Sequence, residues 1–190
     1  MSKRIGFAGA SGTGKTWLAN RLAAELELPM CPVGSRQVAE QMGYANHPYD
    51  VDRVPGARRA FQVELLARKI EWERPRAAFV TDRTPVDNLT YTALHDVSAI
   101  DADMLERARR HFHTYTHVVV CWCSSFHRLG DDPARVADPT YHAIYEACLM
   151  GLLDELQGPH TRVVHLHLHE ADARLQAVLD FVRPPTLTNR

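Results

Sequence analysis

Eight residues near the start of the chain have the types and spacing to hold a triphosphate. Gly9-Ala10-Ser11-Gly12-Thr13-Gly14-Lys15-Thr16 reads G-x-x-x-x-G-K-T and follows the apolar run Ile5-Gly6-Phe7-Ala8. Glycines in such a loop let successive backbone N–H groups converge on one anionic centre. A helix starting near Gly14 turns the positive end of its dipole toward the same point. Gly9, Ser11, Gly12, Thr13, Gly14, Lys15 and Thr16 are therefore the candidate nucleotide-binding residues. Lys15 is placed to reach the β- and γ-phosphates, and the Thr16 hydroxyl to hold Mg2+. A surface lysine on a glycine-rich turn shares the composition but not the setting between a strand and a helix.

Further along, the apolar stretch Ala77-Ala78-Phe79-Val80-Thr81 ends in Asp82-Arg83. A carboxylate at such a strand end can hold Mg2+ opposite the phosphate loop, accept the proton of an attacking hydroxyl, or do both. Arg83 beside it can anchor an anionic acceptor or spread the charge of a transferring phosphoryl group. Thr84-Pro85-Val86-Asp87 then reads as a helix start, with Asp87 as its cap acid rather than a catalyst. The polar segment Ser124–Ala137 has the character of a mobile flap, and its Arg128 and Arg135 are candidates to close over the phosphates and exclude water. The catalytic set is thus Lys15, Asp82, Arg83, Arg128 and Arg135, with Thr16 and Asp82 as metal ligands. For the acceptor the candidates are Arg36, Arg58, Arg59, Phe61 and Gln62, an aromatic and an amide suiting a stacked base whose edge is read. Arg53, Arg68, Lys69, Arg74 and Arg76 make the same helix and its flanks a place where a polynucleotide backbone could lie.

Elements of both periods must carry these groups. Leu18, Leu22 and Leu26, with Ala19 and Ala23, form one face of a first helix ending near Leu28-Pro29. Met30-Cys31-Pro32-Val33 reads as a short second strand, Ser35 as the cap of a helix Arg36–Met42, and Tyr44–Gly56 as a loop. Helices are expected over Ala57–Glu73, from Thr84, from Asp101 through Phe112, from Asp138-Pro139 to Gly158-Pro159, and over Ala171–Val182. Thr116–Trp122 and Val163–His169 complete the strands, Val118-Val119-Val120 being apolar enough for burial on both faces. Alternating strands and helices imply a parallel sheet covered on both faces, with ligands at the carboxyl ends of the strands. At 190 residues this is one domain, residues 1–183, with a flap at about 124–137 and a loose tail from 184 to 190.

Composition removes several other classes. A net charge of −1 with 45% hydrophobic residues fits neither a disordered chain nor a strongly basic nucleic-acid binder. The four cysteines, at 31, 121, 123 and 148, have no zinc spacing, and Cys121 and Cys123 are expected on one side of a strand as reduced, packed thiols. No leader precedes the first strand and no apolar run approaches membrane-spanning length, so the expected setting is the cytoplasm. His165, His167 and His169 share a strand face, but ligands two apart along one strand converge poorly on an ion.

With these residues in view, the chain resembles the P-loop kinases of nucleosides and nucleotides, in particular the group related to nicotinamide-riboside kinases and small phage-encoded kinases. The resemblance rests on Gly9–Thr16, on Thr81-Asp82-Arg83-Thr84-Pro85-Val86-Asp87, and on Asp131-Asp132-Pro133-Ala134-Arg135 followed by Asp138-Pro139. Pro133 stands where that group has a lid glycine. The resemblance implies an α/β three-layer sandwich with a five-stranded parallel sheet in the order 2-3-1-4-5 and a small mobile lid. It also implies ATP with Mg2+, lid arginines at Arg128 and Arg135, and adenine between the lid base and the loop His169–Asp172. The acceptor would be a nucleoside or nucleotide, or 5-hydroxymethyluracil within phage DNA, which some phage members of the group phosphorylate. The functional alternatives are an NTP-hydrolysing switch and an ATP-binding module without a small-molecule acceptor. Monomer and homodimer are both open.

Overall fold

The computed structural model describes residues 2–44, 51, 54–124, 136 and 138–183. Four strands, β1 (Arg4–Ala8), β2 (Phe79–Asp82), β3 (His117–Cys121) and β4 (Arg162–Leu166), form a parallel sheet in the order β2-β1-β3-β4. The register pairs Phe7 with both Asp82 and Val119, and Cys121 with Leu166. The helices that lie wholly in the described residues include α1 (Lys15–Glu25), α2 (Ser35–Gln41), α3 (Ala57–Glu73) and α4 (Pro85–Asp96), followed by α5 (Ala102–Phe112), α6 (Pro139–Leu156) and α7 (Ala171–Val182).

Side chains alternate across the strands and so divide the interior in two. Ile5, Phe7, Val80, Val119 and Cys121 pack against Leu18 and Leu22 of α1 and Leu175 and Val178 of α7. Ala8, Phe79, Val118 and Val120 face the other way, onto Leu66, Leu89, Phe112 and Leu149 of α3, α4, α5 and α6. This is the expected three-layer sandwich. A smaller core of Val38, Ala39, Phe61 and Leu65 holds α2 on α3.

The sheet has four strands rather than five among the described residues. Met30–Val33 contributes a single parallel bridge, Met30 to Val80, with the Cys31 N–H donating to the Val80 carbonyl at 2.8 Å. Pro32 has no N–H to extend the ladder. The bridge lies outside β2, where a second strand would stand in the order 2-3-1-4-5, and the remaining strands follow that order. β4 stops at Leu166 because its neighbour among the described residues, β3, ends at Cys121, so His167 and His169 lie beyond the strand. Ending β3 there also separates the two thiols: Cys121 is buried with the α1 and α7 side, while Cys123 packs on the other core. Ser35 is the first residue of α2 and Gly34 its cap, without a side-chain bond.

The other helix starts fall where the sequence places them. Thr84 and Asp87 form a reciprocal capping box with Pro85 at the first position. Asp101 accepts the Met104 N–H at 2.8 Å, and Asp138 accepts that of Thr140 at 2.8 Å. Most of the flap at 124–137 and of the expected loop Tyr44–Gly56 lies outside the described residues, as does the tail from 184. Within that expected loop Val51 is helical and buried, packing with Val38 and Phe61. No described helix is long and apolar enough to cross a membrane.

Candidate functional site

The phosphate loop lies at the carboxyl end of β1, and the close passage of β3 dictates its first residue. A Cβ on Gly9 would meet the Cys121 carbonyl oxygen at 2.2 Å, and Gly9 has φ of +137°. Only glycine fits both the distance and the torsion. Gly12 and Gly14 follow with φ of +82° and +76°, so the chain reverses and enters α1. Ser11, Gly12, Gly14, Lys15 and Thr16 line a cavity of about 860 Å3. Gly9 and Thr13 are buried behind them and shape the loop from below.

Lys15 is only 4% exposed. Its Nζ donates to the Ala10 carbonyl and, at 3.0 Å, to Thr13 Oγ1. Burial, aided by the Arg83 charge, outweighs the pull of Asp82, Asp87 and Cys121 and pushes the ammonium down to about 8. Across from it, Thr16 Oγ1 donates to Asp82 Oδ2 at 2.5 Å. Asp82 Oδ1 is shielded from solvent and has no hydrogen-bond partner among the described residues. Burial raises the Asp82 carboxyl, but Lys15 and Arg83, the Thr16 hydroxyl and Lys69 outweigh it, so the group sits below the usual carboxylate range. An ionised carboxylate with one unused oxygen beside a threonine hydroxyl is the donor set of a hard divalent cation, and Thr16 and Asp82 fit Mg2+.

Arg83 leaves the end of β2 in the left-handed region, φ +73°, which is rare without glycine and concentrates at functional sites. That torsion sends its side chain back over the loop. Nη1 donates to the Gly9 carbonyl at 3.3 Å, Nη2 to Ser11 Oγ at 3.2 Å, and the guanidinium lies 4.7 Å from the centre of the Tyr91 ring. Burial opposes its charge, and Tyr91, Tyr145, Asp87 and Asp82 more than reverse this, so the guanidinium pKa is raised.

Asp87 caps α4 as the sequence indicates, and it also fixes the loop. Its Oδ2 accepts the Thr84 N–H at 2.8 Å, while Oδ1 accepts the Gly9 N–H at 3.0 Å and the Tyr145 hydroxyl at 2.8 Å. The pattern T-P-x-D signals the cap, but nothing in it signals the reach to Gly9, which depends on β1 and β2 being neighbours.

Of the acceptor candidates, Arg36, Arg58, Phe61 and Gln62 line the same cavity. Arg58, Phe61, Gln62, Leu65 and Lys69 recur at helical spacing and present one face of α3 to it. Gln62 Oε1 accepts from Asn88 Nδ2 at 3.0 Å, both residues being buried. Arg59 does not join them: one residue along, it turns away and pairs with Asp101 on the surface. Lys69, read from sequence as part of a basic helix face, is buried and donates to Thr81 Oγ1 and the Asp82 carbonyl, each at 2.9 Å. Asn88, Tyr91 and His95, along one face of α4, and Tyr141 of α6 are cavity residues that sequence reading missed. Their three- and four-residue spacing just after Asp82-Arg83 was the available signal. Arg128 and Arg135 lie outside the described residues.

A glycine-rich loop joining the first strand to its helix, faced by an ionised carboxylate from the neighbouring parallel strand, defines a P-loop nucleotide-binding domain of kinase-like fold. The chain belongs to the AAA domain family, whose model matches residues 4–170. It is similar in fold to the thymidylate kinase of Candida albicans, with a TM-score of 0.65 and 15% identity over 95% of this chain and 91% of that one. The deoxyadenosine kinase of M. mycoides with bound dATP superposes with a TM-score of 0.63 at 12% identity, over 94% and 98% of the two chains. The shikimate kinase of Acinetobacter baumannii in complex with shikimate gives 0.57 at 16% identity, over 95% and 93%. No curated protein matches in sequence.

Proposed function

We propose that this protein is an ATP-dependent kinase transferring the γ-phosphoryl group to a hydroxyl or phosphate of a small nucleoside- or nucleotide-type acceptor. The observation that carries the reading is the shared cavity: Lys15, Thr16, Asp82 and Arg83 open onto the same space as Arg36, Arg58, Phe61 and Gln62. A hydrolytic switch needs no second pocket beside its phosphates. The three structures compared above are named as kinases, which supports this reading.

Thr16 and Asp82 would hold Mg2+, which supplies charge neutralisation on the phosphates when bound. Lys15 brings a mobile cation from the Ala10 carbonyl to those phosphates, and Arg83 places a second, permanent one at the loop's edge. Asp82, kept ionised by its cationic neighbours, is the base for the acceptor hydroxyl. Phe61 and the Gln62–Asn88 amide pair offer an apolar wall and a base-reading edge. DNA is the less favoured acceptor. The helix that would carry its backbone has Arg59 paired with Asp101, Arg68 paired with Glu64 and Lys69 buried.

The deciding experiment offers labelled ATP with a panel of nucleosides, mononucleotides and 5-hydroxymethyluracil DNA. Label is expected on a small acceptor, and Asp82→Asn is expected to lower transfer at least about 100-fold. ATP hydrolysis with no labelled product would replace the kinase with a switch, and label on DNA alone would move the acceptor assignment.

A further inference from the structure

Arg174, in the first turns of α7, is 2% exposed and reaches across the domain to the phosphate loop. Its Nη2 donates to the Thr13 carbonyl oxygen at 2.8 Å. Thr13 is itself fully buried, and its hydroxyl donates to the Ala10 carbonyl at 2.9 Å. The arginine thus grips the middle of the loop from the side facing away from the cavity.

We infer that Arg174 is a positioning residue for nucleotide binding, which rests on reading the loop as an NTP site. The argument runs through the peptide plane. In a trans peptide the carbonyl and the following N–H point in opposite directions, and rotating one rotates the other. Holding the Thr13 carbonyl down toward α7 aims the Gly14 N–H toward the cavity face of the loop. Gly14, at φ +76°, has no side chain to resist other orientations, so an external anchor has something to fix. A guanidinium does this better than a neutral donor, because charge-assisted bonds are stronger and its charge adds to the field under the loop.

Packing does not require a cation at this place. Arg174 precedes Leu175, Val178 and Leu179, which bury against Leu18 and Leu22 of α1, and an aliphatic side chain would continue that surface without desolvating a charge. Arg83 repeats the device from the opposite flank, holding the Gly9 carbonyl from the end of β2. Two arginines remote in sequence therefore set two peptide planes of one loop. Arg174 is named by no part of the phosphate motif and lies far from it in the chain.

The test is equilibrium binding of ADP, ATP and inorganic pyrophosphate to the whole protein, with Arg174→Leu and Arg174→Lys, beside urea unfolding and acceptor KM. Arg174→Leu is expected to weaken all three ligands at least about tenfold, and Arg174→Lys only about threefold, since it keeps a charged N–H donor for the Thr13 carbonyl. Acceptor KM is expected to stay within twofold, a split that a general loosening of the fold would not give. Nucleotide affinity unchanged in a folded Arg174→Leu overturns the assignment. Should that variant fail to fold, Arg174→Lys decides alone, an affinity equal to wild type being the refuting result. Wild-type protein that binds none of the three ligands would instead overturn the NTP site itself, and this inference with it.

Discussion

Nucleotide affinity is expected to fall as pH rises from 7 to 9, because one buried ammonium must be charged to meet the phosphates. Burial holds Lys15 at about 8 in the free protein, whereas beside a triphosphate its charged form is favoured. With a free-state value of about 8, the lysine is about nine-tenths charged at pH 7 and about one-tenth charged at pH 9, so affinity drops about tenfold across the window. The phosphates do not confuse the result, since their last ionisation lies near pH 6. Stability of the free protein runs in the other direction. The unfolded chain holds the Lys15 proton up to about 10.5, so between about 8 and 10.5 it binds more protons than the folded one. Unfolding free energy from this group therefore rises with pH in that range. Calorimetry at pH 9 in two buffers of different ionisation enthalpy should register uptake of nearly one proton per nucleotide bound. Lys15→Arg keeps the charge without titrating here, and its affinity should be flat from pH 7 to 9. A flat wild-type profile, or an equal slope in Lys15→Arg, refutes the reasoning.

Two further outcomes follow from buried contacts. Gly9→Ala should cost at least about 3 kcal/mol of stability, read by urea unfolding, because the new methyl would meet the Cys121 carbonyl at 2.2 Å and strain the +137° torsion. Glu73 is fully buried, accepting the Tyr115 hydroxyl at 2.7 Å and standing 2.6 Å from His111 Nε2. Glu73→Ala should destabilise by about 3–5 kcal/mol, with Glu73→Gln milder. Burial raises the Glu73 carboxyl, but His111, Lys69 and Tyr115 bring it below its ordinary value of 4.5. Its contribution is therefore complete above 4.5 and lost as pH falls below it, and Glu73→Gln should flatten that acid arm of the stability profile.

The phosphate loop was legible because every residue of it is local: the glycines, Lys15 and Thr16 are fixed by torsion and by the first turn of one helix. Asp82 was legible for a similar reason, as the polar end of an apolar run, and the parallel pairing of β1 and β2 then brings it to Thr16. Errors arose where tertiary pairing sets the extent of an element. Met30–Val33 has strand composition, yet Pro32 limits it to one bridge, and β4 is cut short where β3 ends. Arg59 failed for a geometric reason, since a helix turns about 100° per residue and only every third or fourth one shares the face of Arg58, Phe61 and Gln62.

What sequence order hides most completely is the loop's support. Asp87 reads as a cap acid and is one, yet the same carboxylate fixes the Gly9 N–H. Arg83 reads as a group aimed at substrate, yet both of its terminal nitrogens donate into the loop, to the Gly9 carbonyl and Ser11. Arg174 carries no signal in the sequence at all, yet it holds the Thr13 carbonyl. A glycine-rich turn samples many backbone orientations when free, and ordering it costs conformational entropy. The motif therefore supplies the capacity to bind a triphosphate, while side chains from β2, α4 and α7 select the binding conformation beforehand. Substitution of Arg174, which does not line the cavity, should raise the ligand concentration the loop needs without removing any group that touches the ligand.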